Sequence, residues 1–249
     1  MNRFKYLHIY LPVFFVLWIG LFIDSKLVAN HFVNNQYITN ILVLIVFVWI
    51  YLKVSVKIKK LMLYGLILAF LGEALFALVL GMYTYRLENL PLYVPLGHSM
   101  IYAAVFYIAK EPILKINKEL SINILFVLML IYSTAWLVFA NDVFGFLCML
   151  VIVYLFRRKP HTKLFFLIMF FMIVYLELIG TYYENWYWPE IWFDKISFIP
   201  SANPPSGISV FYFGFDVGCL LIYKLLNKQK WKRLRNLQKI KREKIWYYI

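Results

Sequence analysis

The sequence predicts an all-α integral membrane protein of eight transmembrane helices in two pseudo-repeats of four. Three observations predict it. Of 249 residues, 63% are hydrophobic and 15% charged, where a water-soluble domain is nearer about half apolar and about a quarter charged. The apolar residues lie in continuous runs bounded by Lys, Arg, Asn and Pro. These runs approach the roughly 20 residues that cross a hydrocarbon core and lack the alternation of a membrane strand. Finally, two glutamates, Glu73 and Glu177, occupy matching places inside such runs.

The first run, 6–23, follows a short basic start, but Asp24-Ser25-Lys26 is a poor cleavage site, so it reads as a retained helix and not a signal peptide. The second is 38–52, the third 61–81 with Glu73, and the fourth 95–109, opening at Pro95. These make the first repeat, 1–109. Residues 110–120 form a cytoplasmic connector. The second repeat, 121–226, holds runs 121–139, 143–156, 164–183 with Glu177, and 206–226 with Asp216. A basic cytoplasmic tail, 227–249, closes the chain. The second, fourth and sixth runs are short, so either they borrow flanking aromatics or the membrane is locally thin.

The correspondence between halves extends beyond the glutamates. Pro95 to Tyr102 and Pro205 to Tyr212 both read P-x-G-x-S-x-x-Y. Asp24 closes the first run and Asp142 the fifth. Tyr83 follows Glu73 by ten residues, as Tyr187 follows Glu177. Four helices per half give both halves one orientation, with their common axis along the membrane normal.

The net charge of +14 is a topology signal. With a cytoplasmic N-terminus, 23 of the 26 basic residues fall on inner segments, leaving Lys26, Arg86 and Lys195 outside. This positive-inside bias places both termini in the cytoplasm and the chain in the inner membrane, and it argues against nucleic acid as a partner. In the tail, Trp231, Leu234, Leu237 and Ile240 recur every three residues, a pattern that suits a helix lying on the anionic inner leaflet. Cys148 and Cys219 lie in separate runs and read as small buried hydrophobes. The four histidines are scattered, and H-E-x-x-H, C-x-x-C, G-x-G-x-x-G and P-loop patterns are missing from the sequence. The expected chemistry is therefore metal-free and needs no cofactor.

An ionisable side chain in lipid costs about 2.5–3.5 kcal/mol even on the lenient insertion scale, so two at matched places suggest a purpose. No Lys or Arg sits in a run near their depth, unless Arg86 or Lys195 folds inward. A carboxylic acid kept protonated is a potential proton donor, although a protonated glutamate also serves as packing glue between helices. Asp216 falls near the same depth and breaks the symmetry. Glu73, Glu177 and Asp216 are thus the candidate catalytic acids. Tyr83, Tyr85, His98 and Tyr102 in the first half, and Tyr183, Asn185, Trp186, Tyr187 and Tyr212 in the second, are the candidate substrate-binding residues. Aromatic faces stabilise cations by about 0.5–2 kcal/mol each, so carboxyls among aromatic faces suit carbocation chemistry on an alkene.

The stretch from Gly72-Glu73 through Tyr83-x-Tyr85 to Leu92-Tyr93-Val94-Pro95-Leu96 resembles the membrane carotenoid-biosynthesis family that includes the bacterioruberin-type carotenoid hydratases. Trp186-Tyr187-Trp188 before the second proline turn is similar in kind. The resemblance implies multiple membrane helices, an intramembrane glutamate, and addition of water to a terminal double bond of a long isoprenoid. It implies that Glu73, Tyr83 and Tyr85 line the site. Two other classes fit the same features: a small proton-coupled transporter using the acids as a relay, and a non-catalytic sensor or assembly component docking through its basic tail.

Overall fold

The computed structural model describes residues 4–193, 195–229, 231–233 and 236. Helix dominates because hydrocarbon offers no partner for backbone N–H and C=O groups, so each apolar run must bond within itself. In chain order the helices are α1 (Leu7–Ile23), the short α2 (Lys26–Ala29), α3 (Asn35–Lys53), α4 (Val56–Glu73), α5 (Tyr93–Ile108), the short α6 (Pro112–Ile116), α7 (Lys118–Ala140), α8 (Val143–Arg158), α9 (Lys163–Tyr182) and α10 (Ser209–Leu226). A π-helical turn, Ala74–Val79, continues α4, and a single 3-10 turn, Pro160–Thr162, leads into α9.

A helix stands at each of the eight expected runs, with α4 starting at Val56, five residues earlier than its run suggested. Five segments are long and apolar enough to cross a membrane: Asn35–Lys53, Val56–Val79, Lys118–Ala140, Pro160–Tyr182 and Ser209–Leu226. Their outward faces stay apolar. On α3, Ile41, Leu44, Ile45, Val48 and Leu52 expose 46% to 65% of their surface. A stripe of that extent on a water-facing helix would be an association site; facing acyl chains it is ordinary. The chain is an all-α membrane protein.

At the centre stands α5, packed on α1, α3, α4 and α9, with Met100, Ile101, Ala103, Ala104 and Val105 fully buried. Small residues permit this. Gly65 of α4 faces Ser99 of α5, whose hydroxyl donates to the Met62 carbonyl, so the two backbones approach closely as membrane helices with small residues do. Beside this group, α10 packs on α4 and α9, and α7 on α8 and α9.

Two buried aspartates tie connecting loops to the helix ends at one end of the bundle. Asp24, after α1, accepts from Arg86 Nη2 at 2.6 Å and from the Tyr93 hydroxyl at 2.8 Å. Asn35 joins this group, accepting from Arg86 at 3.0 Å. Arg86 therefore does fold inward, but its partner is Asp24 and not a glutamate. Asp142 caps α8 by accepting from Gly145 N at 3.1 Å, and it also accepts from the backbone N–H of Ala202 at 3.1 Å and Ser206 at 2.7 Å. Each aspartate thus joins the end of one helix to the segment leading into a later one.

Two short strands, β1 (Thr84–Tyr85) and β2 (Trp186–Tyr187), pair antiparallel across the top of the bundle, Thr84 opposite Tyr187 and Tyr85 opposite Trp186. The basic tail expected on the membrane surface lies largely outside the described residues. Within them, Asn227 accepts from Lys60 Nζ at 3.0 Å at the opposite end of the bundle.

Candidate functional site

Both glutamates stand close to the C-terminal ends of their helical segments. Glu73 precedes the end of its π-helical turn by six residues, and Glu177 precedes the end of α9 by five. Both are nine-tenths or more buried. The chain beyond each helix folds back over its own glutamate, which needs two aromatic residues two positions apart on one face of a strand.

In the first half, the Tyr83 hydroxyl donates to Glu73 Oε2, and the Tyr85 hydroxyl donates to the same oxygen at 2.6 Å. Burial, and then the Glu73 carboxyl, push both phenols well above the ordinary tyrosine value. The other oxygen, Oε1, lies 2.8 Å from His98 Nε2 on α5. In the second half, Trp186 Nε1 donates to Glu177 Oε2 at 2.8 Å and Trp188 Nε1 at 3.0 Å. Glu177 Oε1 meets the Tyr212 hydroxyl at 3.5 Å, a long contact. The glutamates are therefore not the bare carboxyls that the sequence suggested: each holds one oxygen under a pair of aromatic donors and turns the other to the interior.

The register differs between the halves by one residue. The aromatic partners follow Glu73 by ten and twelve positions and Glu177 by nine and eleven. The extra residue coincides with the π-helical turn after Glu73, a feature α9 lacks after Glu177. Such turns recur at functional sites. This corrects the match of Tyr83 with Tyr187: the residues equivalent by contact are Tyr83 with Trp186 and Tyr85 with Trp188, while Tyr187 points outward, 56% exposed. Close approach also has a requirement at Gly180, where an added Cβ would sit 2.0 Å from the Trp186 ring. Trp188 is held in turn by its backbone N–H donating to Asn203 at 3.0 Å.

The glutamates share one cavity. It measures about 850 Å³ counting its open mouth, of which about 70 Å³ is open to the centres of water-sized spheres. That is room for several waters, since one needs roughly 10–15 Å³. Around the acids stand Tyr83, Tyr85, Trp186, Trp188, Phe76 and Phe211, and an apolar arm runs between α1 and α3 past Leu17, Gly20 and Val43. Across the inner side, the His98 and Tyr212 rings stack at 4.5 Å with their planes 10° apart. Tyr83 lies over Trp188 with ring centroids 4.4 Å apart. Indole N–H groups only donate, so Glu177 Oε2 is an acceptor, and any proton on Glu177 sits on Oε1, facing the cavity.

Of the candidate residues, the structure brings together Glu73, Glu177, Tyr83, Tyr85, His98, Trp186 and Tyr212. It does not bring Asp216 to the same cavity. Asp216 and Tyr102 line a smaller pocket behind His98, Ile101, Tyr212 and Phe215, because α10 turns Asp216 one helical turn below Tyr212. Asn185 is a tie, donating to the Leu21 carbonyl at 2.9 Å. Tyr183 faces α1, where its hydroxyl accepts from Trp18 at 2.9 Å. The sequence reading missed Trp188 and Tyr93 as lining residues; the i, i+2 spacing of Trp186 and Trp188 was the available signal. Among the described residues, no three of His, Cys, Asp and Glu gather as a metal-ligand set. In comparisons with protein-family models, curated proteins and solved structures, the chain matches none.

Proposed function

We propose that the protein is a cytoplasmic-membrane enzyme of eight crossings, built by duplication, that acts by acid catalysis on an alkene of a lipid or isoprenoid. One observation carries the reading: two buried glutamates line a single aromatic-walled cavity, each with one oxygen held by a pair of aromatic donors and the other turned inward, Glu73 to His98 and Glu177 to a long contact with Tyr212. The pairing of β1 with β2 supports the duplication. With Thr84 equivalent to Tyr187, the Tyr85–Trp186 pair and the Tyr83–Trp188 ring contact become counterparts about one local two-fold axis. The positive-inside bias supports both termini in the cytoplasm. The isoprenoid class rests on the carotenoid-hydratase resemblance of Glu73, Tyr83 and Tyr85.

The partners of the two acids divide the labour. Glu177 faces only neutral donors, so Oε1–H is the proton source; Glu73 faces His98, which can carry charge, so Glu73 with His98 is the acceptor. The alkene π pair forms a C–H bond with the Glu177 proton, leaving a cation on the neighbouring carbon. The faces of Tyr83 and Trp188 stabilise that cation. A water oxygen then forms the C–O bond, and the proton it loses goes to Glu73 and His98. Alkene and water become an alcohol, and one proton has moved from Glu177 to Glu73. Cation loss of a proton in place of water addition would give an isomer.

Lipid extracts of cells with and without the gene test this reading. The wild-type gene should shift one unsaturated species by the mass of water or to an isomer, and Glu73→Gln and Glu177→Gln should each abolish the shift at unchanged expression. A shift that persists in both variants eliminates the acid mechanism. A second reading, a proton-coupled carrier, is favoured by the gathering of Glu73, His98, Tyr212 and Glu177 around one cavity. Acid-dependent solute uptake into proteoliposomes, without a lipid product, would select it.

A further inference from the structure

The acid mechanism leaves a proton on Glu73 and a vacancy on Glu177, and turnover requires its return. The obvious path runs through His98 and Tyr212, but those rings meet face to face, 4.5 Å apart with planes 10° from parallel. Their N–H and O–H groups lie in the ring planes, so the stack itself passes no proton. Water in the main cavity links the acids while it is empty; a hydrocarbon substrate displaces all but the water that adds to the cation, and that one water does not span the two acids.

Behind the stack lies the smaller pocket. His98 and Tyr212 line it as they line the main cavity, together with Tyr102, Cys219, Gly65 and Asp216. It offers about 20 Å³ to the centres of water-sized spheres, enough for one water. Asp216 is 6% exposed, and its Oδ2 is buried with no hydrogen-bond partner. A buried carboxyl oxygen without a partner is costly, and an ordered water is the usual remedy where the site is polar and roomy.

We propose that Asp216 and a water in this pocket form the proton bridge between the Glu73–His98 pair and the Tyr212–Glu177 pair. His98 gives a proton to the water or to the Asp216 carboxylate, and Asp216 returns one through the water to Tyr212, which passes its own to Glu177. No atoms or electrons are exchanged beyond the proton, so the circuit balances. Asp216 touches no substrate, and its role rests on the acid mechanism proposed above.

Two variants test the bridge. Asp216→Asn keeps the shape and removes the acid. Gly65→Ala keeps the acid and adds a methyl whose nearest neighbours, Cys219 Sγ and Ser99 Oγ, are 3.6 Å away, so it narrows the pocket without a clash. Each should lower product formation in the lipid-extract assay by about a hundredfold, the low end of what a proton-transferring group contributes. Infrared spectra of the purified protein in lipid nanodiscs supply a readout independent of activity. The carboxyl band lost in Asp216→Asn should shift promptly when water is exchanged for D2O, and more slowly in Gly65→Ala. Full product formation in both variants, with Glu73→Gln and Glu177→Gln inactive, overturns the bridge and leaves the acid mechanism standing. A band that does not shift in D2O also overturns the bridge, as a dry pocket. Product formation that survives both glutamate changes removes the acid mechanism and the bridge with it.

Discussion

Replacing Gly180 by alanine sets two effects of opposite sign against each other. In a helix interior, alanine is favoured over glycine by about 1 kcal/mol, so propensity alone makes Gly180→Ala stabilising. The Trp186 ring argues otherwise. The new Cβ would lie 2.0 Å from its Cζ2 and Cη2 and 2.6 Å from its Cε2, where carbon atoms need about 3.5–4.0 Å. The indole must retreat from α9 by roughly 1.5 Å or more. Its Nε1 sits 2.8 Å from Glu177 Oε2, so that retreat carries the N–H beyond the roughly 3.2 Å limit of a good bond. Overpacking costs about 1–3 kcal/mol and losing a hydrogen bond to a carboxylate about 1.5–3 kcal/mol. Against the helix gain, the net is a loss of about 1.5–5 kcal/mol. Thermal unfolding in detergent, followed by tryptophan fluorescence, measures it, with Gly97→Ala as the control, because a Cβ there meets nothing within 4 Å. The control should be neutral or stabilised. An unchanged or raised unfolding temperature for Gly180→Ala would refute the placement of Trp186 on Glu177.

Gly97 lines the cavity with open space before it; Gly97→Leu should fill that space and block product formation while leaving the unfolding temperature within a few degrees of wild type. Arg86→Leu should cost about 3–5 kcal/mol, because it leaves Asp24 buried without its cation, and Asp24→Leu in the same chain should recover much of the loss; guanidinium or thermal unfolding reads both. Alkaline pH supplies a further test. Burial, and then the Glu73 carboxyl, hold the Tyr85 phenol well above its ordinary value, so the folded state keeps a proton that the unfolded chain releases near about pH 10. That contribution is fully present below about pH 10 and is lost as pH rises past it, and Tyr85→Phe should flatten the decline in alkaline unfolding curves.

Continuous apolar runs announced the helices, because hydrocarbon forces each run to satisfy its own backbone. The isolated glutamates announced the cavity they share, because a carboxyl in lipid is expensive. What failed to show in the sequence was set by packing or by helix phase. His98 is among the residues the sequence offers as binding residues, but its pairing with Glu73 is not legible there, because it arrives on α5 from twenty-five residues away. The π-helical turn shifts one exit by a residue, so counting ten positions from each glutamate matches Tyr83 with the outward-facing Tyr187, where contact matches it with Trp186. Depth alone grouped Asp216 with the glutamates; the stacked His98 and Tyr212 rings separate them. Of the two cations able to turn inward, Arg86 and Lys195, Arg86 does so, and Asp24, which the sequence marks only as a helix end, receives it. Short helices such as α2 and α6 leave too little periodicity to be seen.

The most direct test of the acid pair is mass spectrometry of lipid extracts from cells making wild-type, Glu73→Gln or Glu177→Gln protein at matched levels. Wild type should convert an unsaturated lipid to a species one water heavier or to its isomer, and both variants should leave it unconverted. Conversion undiminished in both variants would contradict acid catalysis at this cavity.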